Sequence, residues 1–592
     1  MSLAYTFRKA AYVAASSVGL FLVGIGTPQK AYAQSAVDNA ARQAEQIQRD
    51  RAADERQRQL ERDRLDNRPP AGSDSSAPQR DVSAPGETCS PVNTVSVAGV
   101  TLLQIRTVNS VISEFEGKCL SLSDLNNILK ELTFLYVEKG YITSRAFLPE
   151  QDLADGSLEI VVVEGSLESI VLDGEPDVHN GQINSAFPGL VGKPVNLRDI
   201  EQGLDQLNRL RSNNAKIELE AGKEPGASIL KVARNKSKNW YGAVGFDNLG
   251  SSSTGEYQSR IDLGFEDVLK LNDQWNFSYQ RSMDKHPVYF ADVPSSDTFT
   301  GSFSIPYGYW TFGIDGSWSE YDSQIAGAIS DIDTSGLSQS VSANLSRVIH
   351  RDQISITSLS GKLRWKRTEN FILGNRVDVS SRDLVIGSLD LLHSRQFLGG
   401  QFVALASYNQ GLDIWGAFDD DTAPAGSPKG QFRSINGSIS YYKPFKLGDL
   451  TATYNGQVTG QYTPDLLFGS EQVAYGGYST VRGLRESVVF GNRGILSRNE
   501  FAIQLPHSDS ELFTRAFGAF EAYSALDFGH VFEEDSFGIE VGKLTGVTIG
   551  LRNRGGKINF DLSWSDIISA SDNLKAATNS SGIFYARASL SF

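Results

Sequence analysis

The stretch LTATYNGQVTGQY, Leu450 to Tyr462, decides the fold class because its side chains alternate between two kinds at every step. Every second residue is apolar or glycine, and the residues between them are all polar threonine, asparagine or glutamine. Successive side chains of a β-strand point to opposite faces, so this stretch predicts a strand with one apolar and one polar face.

The same alternation recurs through residues 237–592. In KINFDLSW, Lys557 to Trp564, the residues Ile558, Phe560, Leu562 and Trp564 share one face, opposite a polar face. A water-soluble β-sandwich also alternates, but such a domain rarely exceeds about 200–250 residues. The length and the aromatic faces favour a closed transmembrane antiparallel β-barrel, apolar to lipid and polar to a wet lumen. At roughly 22 residues per strand and connection, the segment holds about 16 strands.

The last strand predicted is SSGIFYARASLSF. Phe584, Leu590 and Phe592 share its apolar face, while Arg587 and the serines lie on the other. An ordinary closing strand has this pattern too, but a terminal aromatic strand is also what the barrel-assembly machinery of Gram-negative bacteria reads. We therefore expect the protein in the outer membrane, in contact with its lipid and with that machinery during assembly.

Residues 1–33 have the pattern of a secretory signal peptide. Arg8 and Lys9 precede an apolar run, and Ala31-Tyr32-Ala33 supplies a small-x-small cleavage site. No later window reaches the roughly 18 consecutive apolar residues of a spanning helix. Because export leads to an oxidising compartment, we expect Cys89 and Cys119 to form a disulfide.

Composition argues against nucleic acid as a partner and against catalysis. The formal net charge is −15, and the six histidines form no metal spacing or nucleophile–base pair. We therefore predict no catalytic residue, no metal and no cofactor, and we expect the protein not to be an enzyme.

Two kinds of segment precede the predicted barrel. Residues 34–66 contain strong helix formers and i,i+4 charge pairs such as Asp38/Arg42, which predict a helix that is polar all round. Such a helix is solvated, disordered or housed in a wet cavity. Residues 67–88 are a Pro-, Ser- and Gly-rich flexible linker. Residues 89–165 and 166–236 each combine amphipathic helix and strand patterns, which predict two small α/β binding modules.

Four long stretches carry a family resemblance. They are GYITSRAFLPEQDLADGSLEIVVVEG, NLRDIEQGLDQLNRLRSNNAKIELEAGKEPGAS, GAVGFDNLGSSSTG and GNRGILSRNEF. In this order they resemble the two-partner secretion outer-membrane transporters (TpsB, the hemolysin activation/secretion type of ShlB, FhaC and HecB). The resemblance implies that 89–165 and 166–236 are POTRA domains 1 and 2 and that 34–66 is a plug helix of the resting pore.

The motif VRGLRE, Val481 to Glu486, resembles the family's VRGY/VRGF motif at the tip of a long loop folded into the lumen. The resemblance implies that Arg482 pairs with an aspartate of a D-x-G pattern, here Asp527 and Gly529, with Gly483 allowing a tight turn. Leu484 departs from the family's aromatic residue, which predicts weaker packing at the loop tip. The alternative is an arginine that braces a folded loop without a transport role.

The family implies a passive conduit for a secreted partner exoprotein of adhesin or cytolysin type. The POTRA domains would recognise it in the periplasm, by adding a strand to a sheet edge, and it would then cross the barrel to the cell surface. A barrel-assembly and insertion factor of the same superfamily is the main alternative. A general porin is a further alternative, but its function needs no domains such as residues 89–236.

Overall fold

The computed structural model describes residues 88–173, 175–176, 181–283, 290, 293–325, 330–506, 510–532, 541–574, 578 and 582–592. The predicted signal peptide (1–33), the predicted plug helix (34–66) and the predicted linker apart from Thr88 lie outside these ranges. Across the described ranges, every helix is too short or too polar to cross a membrane.

The first α/β unit packs two helices against a small mixed sheet. Its elements are β1 (Cys89–Val92), β2 (Thr94–Ala98), α1 (Ile105–Ile112), β3 (Lys118–Ser121), α2 (Leu122–Glu138), β4 (Arg145–Phe147) and β5 (Ser157–Val163). Sheet order is β2-β5-β4, while β1 pairs with β3. A capping box between Ser121 and Asp124 starts α2. The Cys89–Cys119 disulfide joins β1 to β3, with Cα atoms 5.3 Å apart.

The second unit repeats this plan. It comprises β6 (Ser166–Leu172), β7 (Glu175–Pro176), α3 (Gly181–Ala186), α4 (Leu197–Asn208), β8 (Ala215–Ala221) and β9 (Ala227–Arg234). The sheet order is β7-β6-β9-β8. Ile200 and Leu207 occupy one face of α4 and are fully buried against Leu230 of the sheet, which forms the core of this unit.

Sixteen long antiparallel strands then close into a barrel, as the sequence predicts. They are β10 (Trp240–Asp247), β11 (Tyr257–Glu266), β12 (Gln274–Met283), β13 (Ser295–Tyr307), β14 (Trp310–Ile325), β15 (Ile332–Arg351), β16 (Ser355–Ile372), β18 (Arg382–Phe397), β19 (Gly400–Leu412), β20 (Arg433–Leu447), β21 (Leu450–Tyr462), β24 (Gly494–Gln504), β25 (Gly518–Val531), β26 (Gly542–Gly555), β27 (Ile558–Ala570) and β28 (Ile583–Ser591). The two-residue β17 (Asn375–Arg376) extends the hairpin between β16 and β18. A short helix, α5 (Glu511–Phe517), lies between β24 and β25.

Alternation along the strands produces an apolar outside and a polar inside. In β27, Trp564 is 40 % exposed on the outer face, while its neighbours Ser563 and Ser565 are buried inside. In β28, Phe584 and Leu590 are exposed on the outer face. An exposed apolar belt around a closed barrel is stable in lipid because the backbone groups of neighbouring strands pair around the wall and leave no open sheet edge.

The second α/β unit docks on one end of the barrel. Glu266, at the end of β11, accepts hydrogen bonds from the backbone N–H groups of Arg211 and Ser212. Arg351, at the end of β15, forms an ion pair of 2.7 Å with Asp205 of α4. The opposite end carries the long connections 413–432 and 463–493.

Candidate functional site: a loop folded into the barrel lumen

The connection 463–493, called the lumen loop below, joins β21 to β24 and folds back into the barrel. It contains its own two-stranded sheet of β22 (Val473–Tyr475) and β23 (Val489–Gly491). An apolar cluster fixes the loop against the barrel wall; its buried members are Val473, Tyr475, Val481, Leu484, Val489, Leu496, Val531, Leu544 and Leu574. Burial of this many apolar side chains gives the loop one packed position rather than many solvated ones.

The tip of the lumen loop is tightly packed against the wall. Val481 is fully buried and Leu484 is 6 % exposed, so the leucine packs although the family motif usually has an aromatic residue there. Gly483 has φ = +116°, and a Cβ atom at this residue would lie 2.8 Å from the backbone carbon of Asp566. Both the dihedral angle and the close approach require glycine.

Arg482 and Asp527 form a buried bidentate ion pair. The Arg482 Nε atom lies 2.6 Å from Asp527 Oδ2, and Nη2 lies 2.7 Å from Oδ1. The backbone N–H of Arg482 also donates to Oδ2, at 3.2 Å. The two side chains are 4 % and 0 % exposed. Two parallel charge-assisted bonds fix both the distance and the orientation of the loop tip relative to β25.

Further charges on the inner wall extend this pair into a network. Arg498 Nε lies 3.6 Å from Asp527 Oδ1, so two arginines share this carboxylate. Glu500 lies 3.4 Å from Arg482 and 2.7 Å from Arg552. Because the arginines alternate with acids, the buried charges compensate one another, and removal of one member leaves a buried charge without its partner.

Two glycines on the inner wall make room for the loop. A Cβ atom at Gly529 would lie 3.0 Å from the Tyr475 ring, and one at Gly546 would lie 2.1 Å from the carbonyl oxygen of Arg482. The D-x-G pattern of the sequence indicates Gly529, whereas no sequence pattern indicates Gly546. Gly546 is paired with Asp527 across β25 and β26, a register that becomes known only once the strands are aligned.

Sequence reasoning also misses Tyr585 of β28. Its hydroxyl donates to the Leu484 carbonyl oxygen at 2.6 Å and accepts the Gly483 N–H at 3.3 Å. The predicted assembly-signal residues Phe584 and Leu590 lie on the outer face of the same strand, away from the loop, and Phe592 packs edge-on against Trp240. The alternation that places the aromatic residues outside thus points Tyr585 at the loop.

The described part of the chain contains no group of three or more His, Cys, Asp and Glu side chains arranged to hold a metal ion. Among the described histidines, His350 contacts Asp352 at a turn, and His393 contacts Thr357 of the neighbouring strand. The ion pairs and the apolar packing of the lumen loop are suited to holding a loop in a pore.

The fold and the site together define a class: an outer-membrane transport barrel with α/β domains at one end and a charge-paired loop in its lumen. The comparisons with known proteins narrow this class. The family model described as haemolysin secretion/activation protein ShlB/FhaC/HecB matches residues 226–553. A model for the ShlB-type POTRA domain matches 90–165, and a second POTRA model matches 166–221.

Individual relatives agree. The outer membrane transporter CdiB of Escherichia coli is 34 % identical over 88 % of this chain and 85 % of its own length. The hemolysin transporter protein ShlB of Serratia marcescens is 31 % identical over 69 % of this chain and 72 % of its own. The solved structure of CdiB from Escherichia coli superposes with a TM-score of 0.83 at 31 % identity, covering 92 % of this chain and 98 % of that one.

The chain belongs to the ShlB/FhaC/HecB family of haemolysin secretion/activation proteins. The predicted family, the barrel fold, the outer-membrane location and the two-partner secretion function are confirmed. The POTRA domains lie in the periplasm, so the docked end of the barrel faces the periplasm and the lumen loop enters from the cell-surface side. The family is a family of transporters rather than of enzymes.

Proposed function

We propose that this protein translocates a secreted partner protein of adhesin or cytolysin type, and that the lumen loop must move before the partner passes. The packed position of the loop supports this proposal, because a loop anchored by Arg482 and Asp527 occupies space that a threaded polypeptide needs. The hemolysin transporter ShlB of Serratia marcescens supports the partner class, since its name states a hemolysin as cargo.

Recognition would take place at the first POTRA domain, here taken as residues 89–165. Its strand β4 lies at the edge of the sheet, and the exposed Phe147 is at its end. A shallow groove runs between β4 and α2; its lining includes Leu129, Thr133, Phe134, Val137 and Arg145. An extended segment of the partner could pair with this edge through main-chain hydrogen bonds and place its apolar side chains in the groove.

The remaining predictions are proposals of the same kind. The helix proposed for residues 34–66 would fill the pore at rest, and its paired charges suit a wet lumen. Phe584, Leu590 and Phe592 would be read by the barrel-assembly machinery before the outer face contacts lipid. We propose that translocation requires no catalytic step and no cofactor, and that folding of the partner outside the cell supplies directionality.

Single-channel current across planar bilayers tests both pore-filling elements. The mature protein, a deletion of residues 34–66 and the Arg482→Ala variant would be compared at equal voltage. We expect the deletion to give a large steady conductance, and Arg482→Ala to increase the frequency of opening, because Asp527 then lacks its bidentate partner.

Arg376→Ala is a matched control, since Arg376 pairs with Asp378 in an exposed outer turn and does not contact the loop. Unchanged conductance after the deletion would refute the plug. Identical gating of Arg482→Ala and the parent protein would refute the role of the ion pair, even if partner secretion by the parent protein is intact.

A further inference from the structure

The barrel closes at its shortest joint, the seam between the first strand β10 and the last strand β28. Five residue pairs join them, from Ala243–Ser591 to Asp247–Arg587. The two flanking joints, β10–β11 and β27–β28, have eight pairs each, and no other joint between neighbouring long strands has so few within the described ranges. Phe592 and Gly242 add one reciprocal pair of backbone hydrogen bonds at the periplasmic end.

Asn248 prolongs the seam on the cell-surface side, where β10 ends. Its backbone N–H donates to Ala586 O, and its side chain then imitates a further strand residue. Side-chain Nδ2 donates to Phe584 O at 2.9 Å, while Oδ1 accepts the Ala586 N–H at 2.7 Å. Where strand pairing stops, a side chain therefore continues the ladder.

The lumen loop contacts both sides of this seam through four consecutive residues. On the β28 side, Tyr585 holds the Gly483 N–H and the Leu484 carbonyl. On the β10 side, Arg485 Nη1 donates to the carbonyl oxygen of Asn248 at 2.8 Å.

The same side has two further contacts with the turn between β10 and β11. Arg485 Nε lies 3.5 Å from Glu256. The Glu486 carboxylate accepts the Ser253 N–H at 3.1 Å and the Ser252 hydroxyl. Hydrogen bonds to charged groups are stronger than neutral ones, so Arg485 and Glu486 hold the β10 side of the seam firmly to the loop.

We propose that Gly483–Glu486 is a latch across the β10–β28 seam, with Arg485 and Glu486 as its positioning residues, so that departure of the lumen loop loosens barrel closure. The latch contacts are separate from the Arg482–Asp527 pair, so they stand whether or not that pair controls the current.

Coupling between loop and seam acts in both directions. A loop that stays in place stabilises the shortest joint of the barrel, and a loosened seam weakens the hold on the loop. A barrel that must accommodate a polypeptide would thus relax its closure when the loop leaves the lumen, and close fully when the loop returns.

Hydrogen exchange of the full-length protein in proteoliposomes tests the first direction. In the Arg485→Ala/Glu486→Ala double variant we expect exchange of amides in 583–592 to accelerate by about tenfold or more, because the charged hydrogen bonds that hold the β10 side of the seam to the loop are lost. Exchange in β20 and β21 should stay unchanged. Arg493→Ala is the matched control, because Arg493 belongs to the same loop but donates to Thr463 O, away from the seam.

Equal seam exchange in the double variant and the parent would overturn the latch, and so would a uniform increase across all joints. If the double variant does not assemble, Glu486→Gln replaces it, since the amide keeps one acceptor oxygen. We then expect a smaller acceleration confined to 583–592 and the turn 248–256, and its absence would again overturn the proposal.

The reverse direction is tested with a locked seam. A Cβ atom at Gly245 would lie 3.9 Å from Ser589 Cβ, within the range for a disulfide. We expect Asn248→Ala, which removes two side-chain bonds to β28, to raise the frequency of channel opening severalfold. The added pair Gly245→Cys/Ser589→Cys should restore the parent frequency when oxidised and lose this effect when reduced. If the frequency of channel opening is the same with the disulfide oxidised and reduced, the loop and the seam are independent.

Discussion

At the scale of single residues, complementary charges hold the lumen loop, and glycines without side chains leave room for it. Arg482 and Asp527 supply the charge, and Gly483, Gly529 and Gly546 supply the space. The glycine at 546 has the most direct steric role, because the Arg482 carbonyl oxygen occupies the place of its absent side chain.

Gly546→Ala should displace the loop tip while leaving every charge in place. The added Cβ would lie 2.1 Å from the Arg482 oxygen, and both groups belong to backbones that cannot simply rotate away. We expect a cost of about 1–3 kcal/mol for the packed loop, seen as more frequent openings in single-channel recordings and faster proteolysis within 463–493.

Gly437→Ala serves as its control, because a Cβ atom at this strand residue of β20 would have no neighbour within 4 Å. If Gly546→Ala and Gly437→Ala both behave as the parent protein does, the loop tip can move to accept the added Cβ atom, and the predicted steric role of Gly546 is wrong.

At the scale of elements, strand β16 lines the lumen with a row of positive charge. Lys362, Arg364 and Lys366 occupy alternate positions and therefore share the inner face. Lys362 lies 3.8 Å from Asp315 of β14, and Lys366 lies 3.0 Å from Glu471 of the lumen loop. One strand thus contributes three cations to the wall of the pore.

Replacing all three residues with glutamine should shift the ion selectivity of the pore toward cations. The charges face the lumen, where small ions pass within the Debye length of about 10 Å at 0.1 M salt. The reversal potential under a potassium chloride gradient measures this shift, using the deletion of 34–66 as the background if it gives the expected steady current. Lys443→Gln is the control, because it removes a charge from the outer face of β20. If the triple variant and Lys443→Gln have the same ion selectivity, the three cations of β16 do not face the path of the ions.

At the scale of the whole molecule, the second POTRA domain is fixed to the barrel by buried polar groups. Glu266 is 1 % exposed and accepts two backbone N–H groups of the domain, at 3.1 and 2.9 Å. Gln202 and Gln206 both donate to the carbonyl oxygen of Gly308 in the turn between β13 and β14. Directional bonds of this kind define one orientation of the domain, whereas an apolar contact tolerates sliding.

Glu266→Ala should broaden the distribution of orientations between this domain and the barrel. Two N–H groups lose their acceptor, and the loss costs about 1–3 kcal/mol for the Ser212 group, which is buried. Pulsed electron paramagnetic resonance between spin labels at the exposed Glu224 and Leu398 measures the distribution. Glu220→Ala breaks an exposed ion pair with Lys231 in the same domain and should leave it narrow. Equal widths in both variants would mean that Glu266 does not fix the orientation.

Much of the fold follows from the sequence because strand alternation is a local property. The pattern of Leu450–Tyr462 or of the last strand predicts which side chains face lipid before any strand partner is known. The site is different. Arg482 and Asp527 can be singled out from their motifs, but Gly546 and Tyr585 gain a role only through strand register, and Leu484 packs well despite its departure from the family motif.

The sequence by itself determined the class of the molecule: an exported chain, two α/β domains, about 16 strands with one face for lipid, and a loop motif with a family resemblance. Only the tertiary structure decided which residues meet. Arg485 and Glu486 lie more than 200 residues along the chain from the β10–β11 turn that they contact. Periodicity reports the two faces of each strand, whereas such contacts depend on how the barrel closes and how the loop folds back, which no local pattern encodes.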